Sequence, residues 1–87
     1  MHDLMVAKQI YELIVRYSHR NKFTQVKKVD IEVGQVKHED HFDDIEPKNL
    51  KKNIKMMAED PETKGMEIEV KKVKGRGYRL VSIEGDK

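Results

Sequence analysis

The sequence predicts an α+β domain in which two amphipathic helices pack on a small three-stranded mixed sheet, in the order α-β-α-β-β. Three observations carry this. Apolar residues recur every three to four positions in residues 4–19 and 47–58; they alternate with polar ones in residues 29–33 and 66–70; and glycine, proline or dense charge separates these segments.

Leu4, Ala7, Ile10 with Tyr11, Ile14 and Tyr17 form one face of the first helix, while Lys8, Gln9, Glu12 and Arg16 fill much of the other. Asp3 falls before the first turn as an N-cap, and His19-Arg20-Asn21-Lys22 closes the helix with cations suited to its carbonyl end. Val29, Ile31 and Val33 alternate with Lys28, Asp30 and Glu32 as a strand with one buried face, and Gly34 ends it. The polar stretch from Gln35 to Glu46 reads as a long loop. Pro47 suits a first helical position, and Leu50, Ile54, Met57 and Ala58 line the inner face of the second helix, which Asp60-Pro61 stops. Met66, Ile68 and Val70 mark a second strand, and Gly75-Arg76-Gly77 a tight hairpin turn into a third, from Tyr78 to about Glu84. Tyr78 and Leu80 share one face of that strand and Val81 and Ile83 the other, so its inner face stays unassigned.

A chain of 87 residues holds one small core, and one domain spanning 1–87 is expected. Charged residues make up 39% against 37% hydrophobic, so that core is lean. Lys and Arg number 18 against 16 Asp and Glu, which leaves no global field for nucleic acid or an anionic membrane. Neither partner is expected. Lys8, Glu12 and Arg16 interrupt the first helix, excluding a membrane span or signal-peptide block there, and a cytoplasmic location follows by default. Cysteine is absent, so disulfides, thiolate nucleophiles and Cys-based zinc sites are excluded and any metal must sit on nitrogen and oxygen.

The first three residues, Met1-His2-Asp3, suit such a metal. The α-amine, the His2 amide and imidazole nitrogens and the Asp3 amide make an all-nitrogen square-planar set, which favours Ni(II) or Cu(II) over Zn(II). In the polar stretch, His38 and His41 lie three apart among Glu39, Asp40, Asp43 and Asp44. His38, Asp40 and His41 could bind a second divalent ion or complete the coordination of one held by His2. A solvated loop explains the same residues without a metal.

Met-His-Asp-Leu at the start of a helix, then Val29-Asp30-Ile31-Glu32-Val33-Gly34-Gln35-Val36, then Ile45-Glu46-Pro47, then Lys64-Gly65-Met66-Glu67-Ile68-Glu69-Val70 resembles the HypA type of nickel metallochaperone. The closing run Tyr78-Arg79-Leu80-Val81-Ser82-Ile83-Glu84 is similar to the strand with which that family returns after a zinc-binding insert carrying two Cys-x-x-Cys pairs. Here Lys74-Gly75-Arg76-Gly77 bridges the strands directly, as a tight turn at about 74–77 in place of the zinc lobe. The resemblance implies maturation of a nickel enzyme, hydrogenase first and urease in some relatives. It implies Ni(II) held by the amino terminus and His2, with Asp3 standing where Glu is common. A maturation GTPase or the enzyme's apoprotein is the implied partner, and no structural zinc is expected.

Other patterns point elsewhere with less force. Lys48, Lys51, Lys52 and Lys55 form a basic stripe on the second helix, and Lys71, Lys72, Lys74, Arg76 and Arg79 surround the turn; with five aromatic residues in the chain, stacking platforms for nucleic acid are scarce and solvated faces are the simpler reading. No phosphate loop or activated nucleophile is present, and no enzymatic activity is expected. The leading expectation is a nickel-binding accessory protein. The alternative is a metal-independent interaction module that keeps the fold to dock a maturation partner. The oligomeric state is open.

Overall fold

The computed structural model describes the backbone of residues 2–38 and 41–87, with side chains described at 4–35 and 44–87. Its elements are α1 (His2–Arg20), β1 (Gln25–His38), β2 (His41–Asp44), α2 (Pro47–Met57), β3 (Glu67–Arg76) and β4 (Tyr78–Asp86). β1 is the central strand. β3 pairs parallel with it from Lys28↔Glu67 to Val33↔Lys72, and β4 pairs antiparallel along the same residues, from Gln25↔Asp86 to Val33↔Tyr78. Because both partners use one stretch of β1, they occupy its opposite edges. A parallel pair needs a crossover, and α2 supplies it.

The three expected strands and their mixed pairing are present, and a short fourth strand joins them. The sequence reads Gln35–Glu46 as a loop and Gly34 as the end of the first strand. Instead β1 runs on to His38 and folds back as β2, with Gln35↔Asp44, Val36↔Asp43, Lys37↔Phe42 and His38↔His41 as register partners. Backbone pairing forms this hairpin, so a polar side-chain pattern does not betray it.

Gly34 lies inside β1 for a steric reason. β3 and β4 sit on opposite edges of β1 yet are joined by Gly77 alone, so the connecting chain must pass over β1. It crosses at Gly34, where a Cβ would lie 2.5 Å from the Gly75 carbonyl oxygen. Gly77 locks the crossing by donating its N–H to the Gln35 carbonyl and accepting from the Gly34 N–H, both at 2.7 Å, with φ of +87° that favours glycine. The expected hairpin between the last two strands is therefore a crossing: β3 and β4 bracket β1 and do not pair with each other.

The inner face of the sheet meets both helices. Val29, Ile31 and Val33 from β1, Ile68 from β3, Val6, Ala7, Ile10 and Ile14 from α1, and Leu50 and Ile54 from α2 form one buried cluster. Each aliphatic chain contributes about 1.5–3 kcal/mol on burial. A bulge in β4 resolves its double-sided apolar pattern: Asp30 pairs with Ser82 but Ile31 with Leu80, leaving Val81 as the extra residue. Tyr78, Leu80 and Ile83 thereby all face the core, and Val81 is 47% exposed. α1 departs from expectation at its start. Val6, not Leu4, makes the first core contact, and the helix begins at His2, which places Asp3 inside the first turn instead of before it.

α1 ends in a Schellman motif. Phe23 N–H bonds to the Ser18 carbonyl at 3.0 Å and Lys22 N–H to the His19 carbonyl at 3.1 Å, with Lys22 left-handed at φ of +58°. A non-glycine residue bears about 1–2 kcal/mol in that conformation.

Two substitutions test these points by urea unfolding. Gly34→Ala forces the crossing chain away from β1 and should destabilise by about 2–3 kcal/mol; a loss below about 0.5 kcal/mol is incompatible with the crossing. Lys22→Gly should stabilise by about 1 kcal/mol.

Candidate metal centre and its surroundings

α1 and β1 run antiparallel, and two polar ties show which ends meet. The Tyr78 hydroxyl, on the residue opposite Val33, donates to Gln9 Oε1 at 2.8 Å. Far along the helix, Ser18 Oγ donates to Glu62 Oε2 at 3.2 Å, His19 Nε2 lies 3.1 Å from Glu62 Oε1, and the Glu62 carbonyl accepts the Val26 N–H at 2.7 Å. Travelling from Ser18 to Gln9 on α1 thus matches travelling from Val26 to Val33 on β1. Beyond the Gln9–Tyr78 level, α1 continues for seven residues to His2, about 10 Å. β1 continues for five to His38, about 16 Å. The start of α1 and the β1–β2 hairpin therefore lie at the same end of the molecule.

That end carries the backbone of His2, Asp3, His38 and His41, four of the residues expected to bind metal. Met1 and Asp40 lie outside the described residues. Of His2, Asp3, His38 and His41 the backbone alone is described. His2 and Asp3 occupy the first turn of α1, where N–H groups have no intrahelical acceptor. Leu4 is 40% and Met5 47% exposed, whereas Val6 and Ala7 are fully buried, so core anchoring begins only after the first turn. His38 and His41 are register partners across the hairpin. Among the described residues no group of His, Asp or Glu side chains could hold a metal ion.

The opposite end is held by a polar cluster absent from the sequence reading. Tyr11 donates to Asp60 Oδ2 at 2.9 Å, and the buried Thr63 hydroxyl lies 3.1 Å from the Tyr11 oxygen and 3.3 Å from the Asp60 carbonyl. Together with the Ser18–Glu62 bond, this pins the 60–63 turn to α1. Ser18 fits the helix period, which marks it as inward-facing, but nothing near it in sequence names Glu62 as its acceptor.

A family model for hydrogenase/urease nickel incorporation metallochaperones, HypA, matches residues 1–78. The chain belongs to the HypA family. No curated protein matches it. HypA proteins are metallochaperones, whose work is to bind and pass on nickel during maturation of hydrogenase or urease, in company with other maturation proteins. The HypA match covers both candidate ligand sets and reaches Tyr78, the first residue of β4. No helix among the described residues is long and apolar enough to cross a membrane.

Two tyrosines make the fold sensitive to alkali. Burial is the main influence raising the Tyr11 pKa, helped by the Asp60 hydrogen bond and by the charges of Asp60 and Glu62, and opposed by the Thr63 hydrogen bond. Burial and then the Glu12 charge raise that of Tyr78. A hydroxyl whose folded pKa exceeds the unfolded value of about 10 leaves stability intact below that pH; stability is lost as pH rises through the higher folded value. Unfolding midpoints measured across this alkaline range should fall in the wild type, and fall less in Tyr11→Phe and Tyr78→Phe.

Proposed function

We propose that this HypA-family chain holds Ni(II) at its amino terminus, in the cytoplasm, and delivers it to the precursor of a nickel enzyme, hydrogenase in the first instance. The observation that carries the reading is the family match, which includes a chain start that supplies the donors nickel prefers. The Met1 amine, the His2 amide and imidazole, and the Asp3 amide are four nitrogens suited to a square-planar d-block ion. The position of His2 and Asp3 in the first turn supports it further, because their amide nitrogens can be given to a metal without breaking a helical hydrogen bond.

Loading has a structural cost confined to that turn. Consecutive chelate rings flatten the N–Cα–C–N torsion, whereas a helix holds it near −42°. The first turn must unwind as nickel binds, while Val6 and Ala7 keep the remainder of α1 in the core. Amide coordination also releases protons, so affinity rises with pH. The Asp3 carboxylate orients the terminus. His38, Asp40 and His41 are an auxiliary set; support for it is that the backbones of His38 and His41 are register partners in a hairpin at the end of the molecule where α1 starts.

No structural zinc enters this account. The chain has no cysteine, and we read the single-residue connection at Gly77 as standing where zinc-carrying relatives have their insert. The receiving partner is a maturation GTPase or the enzyme apoprotein.

Calorimetric titration of untagged protein tests the site. His2→Ala, acetylation of the amine or an N-terminal extension should each lower nickel affinity by roughly 100-fold with the fold retained. The His38→Ala/His41→Ala double variant should lose roughly tenfold if the hairpin contributes. Tight binding that survives blocking of the amine would falsify the site, whereas failure of the untagged protein to bind nickel would leave a metal-independent docking role.

A further inference from the structure

We propose that α2 and the beginning of β3 form a binding groove for an acidic peptide segment of a partner protein, anchored by an apolar side chain. A groove of about 740 Å³ opens between them, with Ala58, Met66 and Ile68 in its floor and Lys55, Glu59 and Lys64 among its lining residues. Those three floor residues are buried, so the apolar surface is recessed. A second concavity of about 460 Å³ shares Lys55 and Met56 with the first and continues past Lys48, Lys51 and Lys52. The two make one furrow. Met56 stands between them, 64% exposed, and an unbranched thioether adapts readily to an incoming side chain.

The charge along the furrow is unbalanced. Lys48, Lys51, Lys52 and Lys55 follow helical spacing and lie on one face of α2. Among the described residues, none of these four nor Lys64 has an ion-pair partner. Some cations elsewhere are matched: Arg79 donates to Glu32 at 2.8 Å, and Lys28 lies 3.7 Å from Glu69 and Lys72 3.7 Å from Asp44. What sets the furrow apart is that five unmatched lysines follow one another along a single recess, with Glu59 as its one acidic lining residue. The stripe also works against its own helix. Lys48 sits in the first turn, at the positive end of the dipole, with no acidic residue beside it there, and Lys48/Lys52 and Lys51/Lys55 repel at i,i+4. Local electrostatics that oppose the element carrying them mark a surface kept for another purpose.

The shape selects the occupant. A flat anionic bilayer cannot reach a recessed apolar floor. Nucleic acid finds no aromatic side chain in either concavity on which to stack a base. A peptide can place carboxylates along the lysines and lower one apolar side chain onto Met66 and Ile68. This site is independent of nickel.

The test is selection from a random twelve-residue peptide display library on the full chain, immobilised through its C-terminus. Enriched peptides should carry an excess of Asp and Glu with at least one large apolar residue, and should shift the methyl resonances of Met56 and Met66. Their affinity should fall at least tenfold for Lys55→Glu/Lys64→Glu, whose altered side chains are exposed, and hold for His2→Ala. Absence of enrichment, enrichment without acidic excess, or equal binding to the charge-reversed variant overturns the proposal. So does tighter binding of phosphatidylglycerol vesicles or single-stranded DNA through the same lysines, which would make this a general polyanion face.

Discussion

The passage of the chain over β1 at Gly34 is the constraint on which the other features depend. It lets two strands joined by one residue lie on opposite edges of a third, so that β1 is flanked along its core-facing length and its buried face is wide enough for two helices. A side chain at position 34 would have to displace backbone, which cannot yield as a flexible side chain can. The crossing also frees the end of β1. Past Gln35 the strand has left β4 behind, and its last residues pair with β2 to project a hairpin beyond the body of the sheet.

How much of this the sequence discloses varies with the kind of interaction. Periodicity locates α1, α2 and the inner faces of β1 and β3, because burial of Ile10, Ile14, Leu50, Ile54 and Ile68 is a one-dimensional pattern. It fails where a bond between backbones decides. β2 has no apolar alternation to announce it, and Gly34 looks like a strand terminator because the same missing Cβ serves a turn or a close approach. In β4 the bulge at Val81 defeats strict alternation, and only the pairing with Asp30 and Ile31 shows which residues turn inward. Asp3 illustrates a smaller displacement: a residue apt for an N-cap lies one step inside the helix.

The candidate metal ligands were legible in a different sense. Their residue types and order are visible in the chain, and the family match spans them. That His2 and His38 belong to one end of the molecule is not visible there. It follows from the antiparallel course of α1 and β1, fixed by Tyr78 on Gln9 at one level and by Glu62 on Ser18 and His19 at the other. If nickel is held at the chain start as proposed, a carrier gains from this separation between anchor and cargo. The cluster from Val6 inward holds the helix, while the turn that precedes it, with Leu4 and Met5 exposed, can change conformation without disturbing the packing that defines the fold.

The same topology relates the lysine furrow to that end. β3 starts opposite Lys28, so the floor residues Met66 and Ile68 lie toward the beginning of β1, away from the β1–β2 hairpin. α2 leaves the hairpin after Ile45-Glu46 and runs back toward this floor, which places Lys48 nearest the hairpin and Lys55 nearest the groove, about 10 Å apart along the helix. A segment seated on Met66 and Ile68 and following the lysines would therefore approach the start of α1 without covering it. Docking and metal exchange would then use separate surfaces of one small domain. A partner could be held by charge and an apolar anchor while the nitrogen donors of the first turn remained open to a competing ligand set.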